Sequence, residues 1–306
     1  MTKNKQKKVS IILLNYNTTD DIIDCLSDLC QIHYTNYQVI IVDNNSREEE
    51  VKRLSDHISD IERCILIESK INGGFAKGNN IGIEYAIKNN TDYLLLLNGD
   101  TKVEKNFLVE LVNQIDNDEE NVAIAIGKIL YYSDKNKIWY AGGEIDWSKY
   151  IGRHYGEGQI DSGQYDETKE ISFATGCLML INTKLNIDLF LPEDYFMYYE
   201  DVDYCASVLE SGYKIIYAPK SVIYHKVGSS SGGEQSEFTV KWANRGRYIF
   251  MNKYKYKISR ISFEKIRIKF FITRLIKIIF MILKGDINKA KALYEGIKDS
   301  IKVIRN

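Results

Sequence analysis

Tyr93-Leu94-Leu95-Leu96-Leu97-Asn98-Gly99-Asp100 is the stretch that decides the fold. Five apolar residues in a row, bounded by Asn89-Asn90-Thr91-Asp92 and by Asn98-Gly99-Asp100-Thr101, read as a strand covered on both faces, as in a mostly parallel sheet. Open α/β sheets bind ligands beyond the carboxyl ends of their strands, so Asp100 opens onto a cleft. One carboxylate at such a place holds a hard divalent cation that keeps several waters and bridges to substrate phosphates. Taken alone, Asn-Gly-Asp is more often a plain turn.

Upstream, residues 9–14, 37–42 and 64–68 are expected as strands and 19–30, 48–59 and 75–89 as helices, an alternation of βαβ units. Their polar or glycine-rich turns, Asn15-Tyr16-Asn17, Asp43-Asn44-Asn45-Ser46 and Asn72-Gly73-Gly74, then line one edge as a nucleotide-sized cleft. Downstream, a helix at 107–114, a strand at 122–126 and hairpins within the Gly- and Tyr-rich stretch 131–165 are expected. A strand at 174–181, an aromatic loop at 191–199, a helix at 200–210 and a strand at 214–218 follow. His225 comes just ahead of Gly228-Ser229-Ser230-Ser231-Gly232-Gly233, the most flexible composition in the chain.

The chain has 306 residues and a net charge of −1, which conceals an asymmetry. From Lys241 onward there are 18 Lys and Arg against four Asp and Glu, whereas the first 240 residues hold 23 against 38. Tail and body therefore meet different surroundings. Five cysteines without a C-x-x-C pair suggest neither a disulfide framework nor a zinc site, and fit a reducing cytosol. Lys3 to Lys8 followed by a short apolar run mimics a signal peptide but lacks a small-residue cleavage site. No stretch reaches the roughly 18 apolar residues of a spanning helix.

Glu200-Asp201-x-Asp203 sets three carboxylates at a helix start, facing its unsatisfied N–H groups. An N-cap with first-turn acids would look the same. The preceding Tyr195-Phe196-Met197-Tyr198-Tyr199 forms an aromatic wall that excludes water or stacks on a sugar, and adjacent carboxylates compete to ionise, which tunes a base. His225 is either a structural histidine or a divalent-metal ligand. Asn72-Gly73-Gly74-Phe75-Ala76-Lys77-Gly78-Asn79-Asn80-Ile81-Gly82 is neither a Walker loop nor a dinucleotide fingerprint. Its glycines permit close backbone approach, to a ligand or within a tight βα turn.

Together, Asn15-Tyr16-Asn17, Val42-Asp43-Asn44-Asn45-Ser46, the run from Asn72 to Gly82, Leu97-Asn98-Gly99-Asp100, Thr175-Gly176, Glu200-Asp201-x-Asp203 and His225 resemble the family 2 inverting glycosyltransferases with a GT-A fold. The resemblance covers about residues 8–250 and is strongest to the rhamnosyltransferase-like and galactofuranosyltransferase-like branch. It implies an α/β, Rossmann-like, mixed and mostly parallel sheet flanked by helices. Residues 1–250 would form the GT-A domain, with 8–100 as the nucleotide-binding half and 101–250 as the acceptor-binding half, followed by a basic helical tail at 251–306.

The resemblance also assigns roles. Asn15, Tyr16, Asn17, Asp43, Asn72 and Gly73 would line the nucleoside pocket, with Asp43 accepting from base or ribose, and Lys77, Asn79, Asn98 and Gly99 would complete nucleotide binding toward the diphosphate. Asp100 matches the last position of the family's D-x-D motif, whose first position here is Asn98. Asp100 and His225 would hold Mg²⁺ or Mn²⁺. Asp201, beside Glu200, matches the general base, and Thr175, Gly176 and Tyr199 would border the acceptor. The implied reaction moves a sugar from dTDP-rhamnose or a UDP-sugar to a glycan or lipid-linked hydroxyl in bacterial surface polysaccharide synthesis.

Residues 258–284 have helical spacing with Ile261, Ile268, Ile272, Leu275, Ile279 and Ile282 on one face and Lys265 intruding. A basic amphipathic helix of this kind suits an anionic membrane surface, here the cytoplasmic face of the plasma membrane, or a partner helix as in a homodimer, or a helix packed on the core. Nucleic acid is disfavoured because aromatics are not interleaved as a stacking platform. Two other functions compete: a non-catalytic nucleotide-sugar-binding partner, against which Asp201 stands, and a nucleotidyltransferase, which would need a Gly-rich basic loop where Asn15-Tyr16-Asn17 stands.

Overall fold

The structure, a computed structural model, describes residues 6–227 and 236–305, so the glycine- and serine-rich run at 228–233 lies outside the described residues. The chain opens with β1 (Val9–Asn15), α1 (Thr19–Leu29), β2 (Tyr37–Asp43), α2 (Glu48–Ile58), β3 (Cys64–Glu68) and α3 (Gly74–Lys88). Next come β4 (Tyr93–Leu97), β5 (Thr101–Val103), α4 (Phe107–Asp116), β6 (Val122–Tyr131) and β7 (Asp134–Tyr140). A hairpin of β8 (Gly143–Asp146) and β9 (Ile151–His154) precedes β10 (Lys169–Ile171), β11 (Leu178–Asn182), α5 (Glu200–Glu210) and β12 (Lys214–His225). The described chain ends in α6 (Glu237–Lys253), α7 (Arg260–Leu283) and α8 (Ile287–Arg305).

One sheet runs β10-β12-β6-β11-β4-β1-β2-β3. β3, β2, β1 and β4 are mutually parallel, as are β6 and β12, while β11 is inserted antiparallel between β4 and β6. All five residues of β4 are buried, which is why its sequence is continuously apolar rather than alternating. α3 lies across β1 and β2 at close range. A Cβ on Gly78 would sit 2.4 Å from Leu14 Cδ1, and one on Gly82 would sit 2.7 Å from Ile12 Cγ2. Two of the glycines in the Asn72–Gly82 motif therefore serve helix–sheet contact.

Register decides what gathers at the carboxyl edge. Asn15 pairs with Asp43, and Leu13 with Leu97, so the ends of β1, β2 and β4 lie side by side. Antiparallel β11 pairs Leu178 with Leu97, which brings Thr175, Gly176 and Cys177 to the same edge. β5 pairs Thr101 with His225, and the Lys226 N–H donates to the Asp100 carbonyl at 2.9 Å.

Three expected strands differ in extent, the one expected at 122–126 continuing to Tyr131 as β6. The strand expected at 174–181 begins only at Leu178, because Ala174 N–H turns to Cys205 Sγ and Gly176 N–H to Asp201. The strand expected at 214–218 continues to His225. Pro219 falls where the β12–β6 register shifts between Ala218 and Val222, a bulge that asks no ladder N–H of it.

Candidate active site

Asn15 and Asp43 are buried at the ends of adjacent strands, and Asn15 Nδ2 donates to Asp43 Oδ2 at 2.8 Å. Asp43 Oδ1 accepts from Ser46 N–H at 2.8 Å, and Ser46 Oγ accepts from Asn17 N–H at 2.9 Å. Asn17 takes a left-handed conformation, φ 55°, which asparagine tolerates, and this turns the following chain into α1. Tyr16 is left exposed beside them. Asn44 Nδ2 donates to Asn72 Oδ1 at 2.9 Å, and Asn44 Oδ1 accepts from Gly73 N–H at 3.0 Å. The turn after β2 thus holds the turn before α3 with side-chain amides.

Asp100 and His225 are buried next to one another, His225 Nε2 lying 3.2 Å from Asp100 Oδ1. Burial works against the charged imidazole, and the Cys177 sulfur and Asp100 carboxylate outweigh it, lifting the pKa of His225 to about 10. Trp139 meets the His225 ring edge-on at 4.6 Å. His225 Nδ1 is buried without a hydrogen-bond partner among the described residues. No group of three or more His, Cys, Asp or Glu suited to a metal ion occurs among them. A hard cation that shares its shell with substrate phosphates and water needs only one or two protein ligands. Asp100 fits a cation of that kind, and His225 joins it as a ligand only on giving up the proton that Asp100 stabilises, since a ligating imidazole is neutral.

Asp201 opens α5. Its Oδ2 accepts from Gly176 N–H at 3.1 Å and its Oδ1 from Val202 N–H at 2.8 Å. Burial raises its pKa, opposed by the Gly176 and Val202 N–H groups and by the Thr175 hydroxyl. Glu200 is buried, with Oε2 unpartnered among the described residues, and desolvation together with the neighbouring Asp201 charge pushes its pKa well above the ordinary value. Of two such neighbours only one ionises easily. Tyr198 and Tyr199 both have positive φ, 68° and 79°, a conformation that costs about 1–3 kcal/mol per non-glycine residue and that clusters where a site over-determines the backbone. Phe196 carbonyl accepts from Phe75 N–H at 2.7 Å, and a Cβ on Gly176 would lie 3.1 Å from the Phe75 ring. The starts of α3 and α5 and the Thr175–Gly176 turn therefore close on one another.

Residues 10–190 match Glycosyl transferase family 2. The chain is a family 2 glycosyltransferase. It is 25% identical over 220 residues to the dTDP-rhamnosyl transferase RfbF of Shigella flexneri, covering 72% of this chain and 69% of that one. It is also 25% identical over 264 residues to the low-salt glycan biosynthesis hexosyltransferase Agl10 of Haloferax volcanii, with 85% and 81% covered. Among solved structures, GalNAc-T7 with UDP, GalNAc and Mn²⁺ superposes with TM-score 0.62 at 16% identity, over 82% of this chain and 49% of that one. The mannosyltransferase PcManGT of Pyrobaculum calidifontis with GDP-Man and Mn²⁺ gives 0.56 at 15% identity, over 97% and 74%. The fold is the expected GT-A arrangement.

In this glycosyltransferase Asn15, Asn17, Asp43, Asn72, Gly73, Asn98, Gly99, Asp100, Thr175, Gly176, Asp201 and His225 meet along one strand edge. Lys77 and Asn79 are placed differently. Asn79 is buried and donates to the Phe75 carbonyl one turn back, at 2.9 Å, while Lys77 lines a separate cavity of about 610 Å³ with Glu84, Glu193 and Lys253. Tyr199 sits half-buried, its hydroxyl donating to the Tyr150 carbonyl at 3.3 Å. Trp139 and Cys177 beside His225 had no signal in the sequence pattern, since Trp139 falls in the irregular 131–165 stretch.

The acidic cluster divides by role. Asp203 turns away from Asp201 and is bound by Lys253 Nζ at 2.8 and 2.9 Å and by the Tyr254 hydroxyl at 2.7 Å. Asp203→Ala should therefore destabilise the glycosyltransferase by about 2–3 kcal/mol in chemical denaturation, because a buried carboxylate with three charged or phenolic contacts is lost and its partners are stranded. Asp201→Asn should move the denaturation midpoint far less. Equal midpoint losses from the two would contradict this division.

Proposed function

We propose that this glycosyltransferase carries out a single inverting displacement on a nucleoside-diphosphate sugar, with Asp201 as general base. The observation that carries the reading is the Asp201 carboxylate, fixed by Gly176 and Val202 N–H groups on the same edge as the buried Asp100–His225 pair. An acceptor hydroxyl lying against Thr175, Gly176 and Tyr199 gives its proton to Asp201 as its oxygen attacks the anomeric carbon. Burial and the neighbouring Asp201 charge push the pKa of Glu200 well up, while Gly176 and Val202 N–H groups oppose the rise at Asp201, so Asp201 is the member of the pair that ionises more readily. Asn15, Tyr16, Asn17, Asp43, Asn72 and Gly73 orient the nucleoside, and Asn98 and Gly99 carry the chain toward the diphosphate. Asp100 and His225 would hold Mg²⁺ or Mn²⁺, which would supply Lewis-acid neutralisation of the leaving diphosphate.

The donor is proposed as dTDP-rhamnose or a UDP-sugar, and the acceptor as a glycan or lipid-linked hydroxyl in surface polysaccharide synthesis, with the enzyme on the cytoplasmic face of the membrane. A dTDP-rhamnosyl transferase, an amylovoran biosynthesis glycosyltransferase and poly-β-1,6-N-acetyl-D-glucosamine synthases among its relatives support that setting. A panel of nucleotide sugars, scored by thermal shift and by slow donor hydrolysis, tests it. One donor should raise Tm and be hydrolysed to its nucleoside diphosphate. Pyrophosphate release from a nucleoside triphosphate and a sugar phosphate, with no response to any nucleotide sugar, would point instead to a nucleotidyltransferase.

A further inference from the structure

α7 is 24 residues long, about 36 Å at 1.5 Å per residue. It packs on the body through Phe263, Phe270 and Met281, which fall in one sector of the helix and are buried. The opposite sector carries Ile261, Ile268, Ile272, Leu275, Ile279 and Leu283, each between 49% and 80% exposed. The apolar residues of the tail are thus turned away from the core, which excludes the core-packing reading of this face. An apolar stripe of this length, interrupted by Lys265, marks an interaction surface.

Charge identifies the partner. Arg260, Lys265, Arg267, Lys269, Arg274 and Lys277 ride on the same helix against a single acid, Glu264, which is taken by Arg267 at 2.6 Å. Lys265, Lys269 and Lys277 are exposed. A second copy of the chain would set this cationic helix against its own like charges, which disfavours pairing. An anionic lipid surface offers the opposite sign and an apolar layer beneath it. No helix among the described residues is long and apolar enough to cross a membrane.

We propose that the outward face of α7 docks this protein on an anionic phospholipid bilayer, the helix lying in the interfacial plane with its isoleucines among the acyl chains and its lysines at the phosphates. The inner face of the helix is tied to the chain just ahead of α5. Phe263 meets the Tyr150 ring at 6.2 Å, and Tyr150 carbonyl accepts from Tyr199, the residue before Glu200. Arg274 Nε donates to Asn244 on α6 at 3.0 Å. Docking of α7 would thereby fix the orientation of α5 relative to the bilayer. The proposal rests on the helix alone and not on the assignment of the site.

Co-sedimentation of the full chain with vesicles of phosphatidylcholine, with and without phosphatidylglycerol, tests it. The chain should pellet with the anionic vesicles only and be released as salt rises. Combined Ile272→Ser, Leu275→Ser and Ile279→Ser should weaken vesicle binding by about tenfold or more, with Tm and donor hydrolysis unchanged. Lys265→Glu, Lys269→Glu and Lys277→Glu together give an independent test on charge alone and should abolish binding to the anionic vesicles. Vesicle binding unchanged in both variants would overturn the proposal. So would a chain that ignores vesicles but sediments as a dimer, falling to a monomer in the serine variant.

Discussion

Asp201→Asn should lower kcat by about 10²–10⁴-fold, the usual contribution of a positioned general base, while donor affinity stays close to that of the wild type. The substitution keeps the size of the side chain and one acceptor for the Gly176 or Val202 N–H, so the Thr175–Gly176 turn keeps its anchor. Single-turnover kinetics with a fixed donor would separate the chemical step from binding. Wild-type turnover would remove Asp201 from the role. Because burial raises its pKa, the acid limb of kcat/KM should lie above the ordinary aspartate value of 3.8.

Glu200 gives the complementary test on stability. Its folded-state pKa is raised, so the native chain binds this proton more tightly than the unfolded chain does. That contribution is fully present below the ordinary glutamate value of 4.5 and is lost as pH rises from there through the folded value. Glu200→Gln, neutral at every pH, should therefore raise Tm relative to the wild type at alkaline pH and converge with it in acid.

Chelation should have the second large effect. Removing the divalent ion should cost about 10³-fold in transfer, since Lewis-acid stabilisation of a leaving diphosphate supplies several kcal/mol. Asp100→Ala and His225→Ala should each reproduce most of that loss and abolish the metal dependence of donor binding, measured by titration calorimetry with and without Mn²⁺. With an amide at Asn98 in place of a second carboxylate, the ion should bind weakly without nucleotide and tightly with it. Full activity in EDTA would contradict the assignment of Asp100 and His225.

Most of the edge that carries Asn15, Asp43 and Asp100 was legible because its signals are local. A run such as Leu94-Leu95-Leu96-Leu97 can be a buried strand or a helix segment, but the Asn and Gly punctuation on each side makes it a strand, and parallel register then carries Asn15, Asp43 and Asp100 to one edge. The Thr175–Gly176 turn and the start of α5 were less legible. Whether residues 174–176 stay in the sheet depends on Cys205 and Asp201, roughly thirty residues away in sequence and visible only once α5 is placed. The acidic triplet Glu200-Asp201-x-Asp203 looks uniform in sequence, yet Lys253 and Tyr254 claim Asp203 while the Gly176 and Val202 N–H groups hold Asp201. The glycines of the Asn72–Gly82 motif read either as a ligand cradle or as a tight βα turn, and Gly78 and Gly82 make room for Leu14 and Ile12. α6 escaped sequence reading, and α8 was covered only as part of the helical tail at 251–306, because much of their burial is against one another: Gly296 on α8 approaches the Lys241 carbonyl so closely that a Cβ there would lie 2.3 Å away.

The anomeric configuration of the transferred sugar tests the central claim most directly. Proton NMR of the product formed from the donor that the panel identifies, compared with the configuration of that sugar in the donor, reports whether one displacement or two took place. A single attack by an acceptor deprotonated at Asp201 predicts inversion at the anomeric carbon. Retention would contradict it.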